Sequence, residues 1–175
     1  MGCNQSGNCC QGFNVVLSPQ DLQELARGLD CTVKQLFKEQ VVTYKIETST
    51  GWMQPILNNR TSSERKCPFL TWKQQKAVCK VYKNRPVVCQ MFPRSINESG
   101  EVVYPEKNKE RCPGCTGFEK TLDPALKNRL AEFLSHKKLV NELVQSGLNL
   151  FEIKGNKKLQ AKFFQMQEQL YEEMD

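Results

Sequence analysis

The sequence predicts a small α+β module built around clustered cysteines, and three observations lead there. Helix-start signals and a 3.6-residue apolar period appear near the N-terminus and again after residue 120. Between them, residues 41–57 change to a period of two, and 67–82 read as a further extended pair. Finally, the chain has nine cysteines but an apolar fraction of only 39%, modest for 175 residues. The expected architecture is two short N-terminal helices, two or three β-hairpins and a C-terminal helical pair. Residues 1–120 would form the cysteine-cluster module, and 121–175 would be helices packed on it.

Residues 1–14 are rich in Gly, Asn, Gln, Ser and Cys and read as a loop. Val15-Val16-Leu17 is an apolar strand or entry segment. Ser18 then caps a helix with Pro19 in its first position and Asp21 at its positive end. Leu22, Leu25, Ala26 and Leu29 supply the apolar stripe, and Gly28 and Asp30 mark the end. Thr32 caps a second short helix through Val33, Leu36 and Phe37. Val42, Tyr44 and Ile46 alternate with polar residues, Ser49-Thr50-Gly51 turns, and Trp52 to Leu57 returns as the second strand of a hairpin. Residues 69–72 are expected to pair with 77–82 across 73–76. Asn84-Arg85-Pro86 starts a short helix that Pro93 stops, and Ile96 with Val102-Val103-Tyr104 predicts a last hairpin. A basic loop and a tight turn over 112–117 follow. Asp123-Pro124 caps a long helix bearing Leu126, Leu130, Phe133, Leu134 and Leu139. Ser146-Gly147 breaks it, and a final helix is expected over about 156–173.

Eight of the nine cysteines fall into three groups: Cys3, Cys9 and Cys10; Cys67, Cys79 and Cys89; Cys112 and Cys115. Thiolates converging on a soft metal, either zinc or an iron–sulfur cluster, explain such grouping. A disulfide framework would expect a secretory leader and an even count. Cys112-Pro113-Gly114-Cys115 is a Cys-x-x-Cys knuckle whose backbone turns two sulfurs toward one ion. A redox dithiol would instead sit at a helix N-terminus beside a βαβ unit. Adjacent side chains such as Cys9 and Cys10 point apart in most backbone conformations. That predicts separate sites, or a cluster presenting several irons, over one zinc. Cys31 lies outside the groups and reads as a small buried apolar residue. His136, the only histidine, sits among Lys137 and Lys138 on a solvated helix face. With no second imidazole, His-rich zinc hydrolase sites are excluded. Arg85, Arg94 and Arg111 stand near Cys89 and Cys112, where they read equally as guanidinium groups that damp the charge of a metal–thiolate centre and as ordinary surface arginines. Tyr82 and Phe92 read as core packing.

Several of these residues occur as an ordered set: Cys3-Asn4-Gln5-Ser6-Gly7-Asn8-Cys9-Cys10, Val15-Val16-Leu17-Ser18-Pro19-Gln20-Asp21-Leu22, Cys67-Pro68-Phe69-Leu70, Cys79, Tyr82, Arg85-Pro86, Cys89 and Phe92-Pro93. The set resembles the YkgJ-type cysteine-cluster family of zinc- or iron-chelating domains over roughly residues 3–117. That family opens with a C-x-x-C-x-x-C-C pattern, and a related cysteine module occurs in flagellin lysine N-methylases. Ser6 stands where the pattern has its second cysteine. Either Ser6 is a bystander and one ligand is lost, or Cys112 or Cys115 makes up the number. The resemblance implies a thiolate-bound metal, and the methylase relatives tilt its identity from zinc toward iron.

The formal charge is +6, but ligand thiolates would cancel much of it, so the basic excess argues little for a nucleic-acid partner. Trp52, Trp72, Tyr44 and Tyr82 among lysines read as half-buried strand alternation rather than a single-strand binding face. No apolar stretch approaches the ~20 residues that span a bilayer. No charged-then-apolar leader opens the sequence, so a reducing, cytoplasmic setting is expected. Met1-Gly2-Cys3-Asn4-Gln5-Ser6 also fits an acylation pattern; Cys3 as a ligand is the preferred reading. The leading expectation is a metal-binding protein whose metal builds the fold and serves a redox or sensing role. One rival is a methylase-like group-transfer enzyme or accessory subunit. Another is an adaptor, stapled by zinc, that meets a protein partner through its C-terminal helices. The absence of a Gly-rich phosphate loop and of a Ser–His–Asp set weighs against the enzyme.

Overall fold

Capping chemistry sets the N-terminal helices. In the computed structural model, which describes residues 5–46, 53–59, 66–97, 101–112 and 122–145, α1 spans Pro19–Leu29 behind a complete capping box. Ser18 Oγ accepts from Asp21 N, and the Asp21 carboxylate accepts from Ser18 N, so two orphan amides are satisfied reciprocally. Asp30 closes the helix in the left-handed conformation. Thr32 and Gln35 repeat the box at α2 (Val33–Lys38).

The hairpins follow the period-two patterns. β1 (Val42–Ile46) pairs antiparallel with β2 (Met53–Leu57), Val42 opposite Leu57. Val15–Leu17 runs beside β2, with Leu17 N donating to Pro55 O and Leu57 N to Val15 O. β3 (Leu70–Lys73) pairs with β4 (Lys76–Cys79) across Gln74 and Gln75, which puts Leu70 opposite Cys79. Helix α3 (Val87–Met91) starts behind Pro86, and β5 (Ser95–Ile96) pairs with β6 (Val102–Val103). The Phe92-Pro93 peptide bond is cis. Among the described residues, the sheets are three separate two-stranded pairs.

Two expectations are corrected. The second strand of the middle hairpin ends at Cys79, and Tyr82 opens a 3-10 turn over Tyr82–Asn84. Its ring is 52% exposed rather than packed in the core. The basic stretch before Cys112 is not a loop but a helix, α4 (Glu106–Arg111), stabilised by the Glu106–Lys109 ion pair. Its residues are nearly all polar, so no apolar period announces it.

Two cores result. Leu17, Leu22, Leu25, Leu36 and Val42 join Phe69 and Val81 in the first, beneath α1 and α2. The second joins Val87 and Met91 of α3 to Leu122 and Leu126, at the start of α5 (Pro124–Gln145), with Leu130 and Phe133 against them. Asp123 Oδ1 accepts from Leu126 N, as its capping role predicts. The turn at 49–51, Trp52 and the final helix expected over about 156–173 lie outside the described residues, as does the side chain of His136. Among the described residues, no helix is long and apolar enough to cross a membrane.

Candidate metal centre

Backbone hydrogen bonds bring the first two cysteine groups together. Gly7 sits at φ 74, and the chain then winds into a 3-10 turn over Asn8–Cys10. Gln5 O accepts from Ala77 N at 2.8 Å, which ties this loop to β4. Cys10 O accepts from Cys67 N at 2.8 Å, and Gln11 bridges to Lys66. Cys67 in turn enters a tight turn, its carbonyl accepting from Leu70 N at 3.1 Å, and Leu70 faces Cys79 across the hairpin. Cys89 arrives from α3, two residues after Val87, whose amide is fixed by the buried Asp21 carboxylate at 2.8 Å.

Five of the eight predicted ligands, Cys9, Cys10, Cys67, Cys79 and Cys89, are free, half-buried thiols lining one cavity of about 610 Å³. Phe13, Met91, Phe92 and Phe133 line it too, and the Phe13 and Phe92 rings meet edge to face at 5.7 Å. Phe92 therefore lines the cavity and belongs to neither core. Cys3 and Cys115 lie outside the described residues. Cys112 is buried and disulfide-bonded, and it does not line the cavity. Neither does Ser6, whose hydroxyl accepts weakly from Asn8 N at 3.5 Å. Cys31 is half-buried against the first core, away from the cavity lining.

The adjacent pair corrects an expectation. The 3-10 turn folds Cys9 and Cys10 toward each other, with sulfurs 3.7 Å apart. Two thiolates on one tetrahedral ion at ~2.3 Å are separated by about 3.8 Å. Neighbouring cysteines can therefore share a single metal atom when the backbone tightens from extended to 3-10.

The thiols also interact electrically. Cys9 is pulled down to about 7, first by the hydrogen bond from Cys10 and also by the Arg85 charge, against the opposing effect of burial. Cys67 is lowered, first by a hydrogen bond from Cys10. Cys10 is pushed far up because its proton bridges Cys67 and Cys9. Burial raises Cys79 and Cys89, and negative charge on Cys67 and Cys9 raises both further. Arg85 opposes that rise at both. Its guanidinium stacks 3.7 Å over the Tyr82 ring, and its Nε donates to Tyr82 O at 2.9 Å. Arg94 also lines the cavity, whereas Arg111 lies over the Phe13 ring at 4.5 Å.

The donor set fits a soft metal: five neutral-to-anionic sulfurs, a pair at tetrahedral spacing and a cation to offset their charge. Among the described residues, no three Cys, His, Asp or Glu side chains already stand as a closed set for an ion. Ligation requires Cys67, Cys79 or Cys89 to turn further inward, or a sulfur from outside the described residues. Two residues supporting this site, Asp21 and Arg129, were not singled out for it by the sequence. Asp21 was legible only as a helix cap, and Arg129 lies 108 positions away.

A family model described as "CxxCxxCC: Putative zinc- or iron-chelating domain" matches residues 2–120. No curated protein and no solved structure matches the chain.

Proposed function

The chain belongs to the CxxCxxCC family of zinc- or iron-chelating domains, and we propose that it holds its metal through Cys9, Cys10, Cys67, Cys79 and Cys89, with Cys3 as a further donor. The observation that carries this is the convergence of thiols from four chain segments on one cavity, with Cys9 and Cys10 at tetrahedral spacing. That spacing favours both sulfurs on one metal atom, as in a mononuclear zinc site or one iron of a two-iron cluster. It disfavours placing them on separate corners of a four-iron cluster, whose cysteines each take a different iron.

Metal bound here would join the N-terminal loop, the β3–β4 hairpin and α3, so its binding free energy becomes folding free energy. The structural role follows from that. In a reducing, cytoplasmic setting the thiols stay available for the metal. A redox or sensing role follows if the metal is iron, with Arg85 tuning its charge. In the reduced protein Cys112 and Cys115 serve as further ligands. The cavity volume favours a second reading: a single ion fills little of 610 Å³, which leaves room for a small molecule beside the metal, as a group-transfer enzyme would need.

The test is iron, zinc and acid-labile sulfide content of protein purified without air, together with its visible spectrum. Iron and sulfide in near-equal amounts support the redox role, and tightly held colourless zinc supports the structural one. Metal content that is sub-stoichiometric, or unchanged after both Cys67→Ser and Cys79→Ser, would overturn the proposal.

A further inference from the structure

Asp21 does more than cap α1. Its side chain is 1% exposed, and every acceptor direction is used. Oδ2 accepts from Ser18 N at 3.1 Å and Ser18 Oγ at 3.0 Å. Oδ1 accepts from Val87 N at 2.8 Å and from Arg129 Nη2 at 2.9 Å. The same Arg129 nitrogen reaches Arg85 O at 3.2 Å. The segment from Arg85 to Val87 is thus gripped at both ends, with the buried Pro86 between them. Arg85 and Cys89 flank that grip, and Cys89 N donates back to Pro86 O at 2.9 Å.

A charged pair this deep is costly unless it is fully bonded. Arg129 shows the cost: its Nε is buried without a hydrogen-bond partner. Two apolar residues would pack the same helix junction without that orphan. What the ions supply and an apolar pair would not is a directional hold on the α3 entry peptide.

We propose that Asp21 and Arg129 are positioning residues for the metal centre, fixing the Arg85–Val87 backbone so that Cys89 and the Arg85 charge meet the other thiols. The assignment rests on the metal-binding reading above. It couples α5, through Arg129, to metal affinity: the helix that carries no candidate ligand among its described side chains still sets how tightly metal is held.

The experiment titrates reduced, metal-free, full-length protein with Co²⁺, following the thiolate charge-transfer and d–d bands, and then displaces it with Zn²⁺ buffered by a chelator. Asp21→Asn and Arg129→Met should each weaken Zn²⁺ binding about tenfold, the size of one lost charge-assisted hydrogen bond, and should shift the d–d bands. Arg129→Lys, which keeps the charge, should recover most of the affinity and remains informative if Asp21→Asn does not fold. Thr32→Ala removes the α2 cap away from the thiols and serves as the control. It should lower the metal-free melting temperature while leaving affinity and spectrum unchanged. If Asp21→Asn and Arg129→Met behave like that control, the pair is purely structural and the assignment is wrong. Wild-type protein that binds neither ion stoichiometrically would overturn the metal reading itself, and this assignment with it.

Discussion

Gly7 shows how little room the site has at the residue scale. A Cβ there would stand 2.9 Å from Ala77 Cβ and 3.2 Å from the Trp72 ring, on a backbone at φ 74 that L-residues seldom adopt. Gly7→Ala should therefore lift the Cys9–Cys10 turn off β4, costing about 1–2 kcal/mol, and a chelator titration should show weaker metal retention. The thiols themselves are unequal. In metal-free protein Cys9, drawn to about 7, is partly ionised near neutrality, while Cys89 is held protonated by burial. Alkylation followed by mass spectrometry should mark Cys9 well before Cys89. The Cys9 rate should climb through about pH 7, where half of the thiol is ionised, and level off roughly one unit higher, and bound metal should protect both. Cys31→Ser, by contrast, should leave metal stoichiometry intact. Residue types were enough to nominate these sulfurs, because few other side chains bind soft metals. The supporting contacts were not legible, since nothing local in Asp21 or Arg129 announces a bond across 108 residues.

At the level of elements, the parts with local chemistry were legible and those without were not. Both capping boxes and the pairing of β1 with β2 and β3 with β4 follow from residues close in sequence. Helix α4 was missed because Glu106–Arg111 has no apolar face; polar pairing and its Pro105 start carry it. The turn over Asn8–Cys10 was missed for another reason: it depends on Gln5 and Cys10 carbonyls bonded to Ala77 and Cys67, partners more than fifty residues away. Packing of α5 on α3 yields its own test. Leu126 is 6% exposed against Val87 and Met91, so Leu126→Ala should cost roughly 2–4 kcal/mol. Hydrogen exchange should then speed up in α5 and at the Val87 amide together, because both hang on the same junction.

At the scale of the molecule, the two modest apolar cores among the described residues both border a cavity that five cysteines help to line. A metal there would connect elements that otherwise share few buried side chains. Metal addition should then raise the melting temperature in proportion to the logarithm of its concentration above the dissociation constant. A chelator should reverse the effect, and acid should weaken binding because protons compete for the thiolates. Whether thiolates from these separate segments hold the metal is read from X-ray absorption at the edge of the bound metal. The expected spectrum has a first shell dominated by sulfur at ~2.3 Å that loses intensity in Cys79→Ser or Cys89→Ser protein. A shell of nitrogen and oxygen, or a sulfur shell untouched by both substitutions, would contradict it.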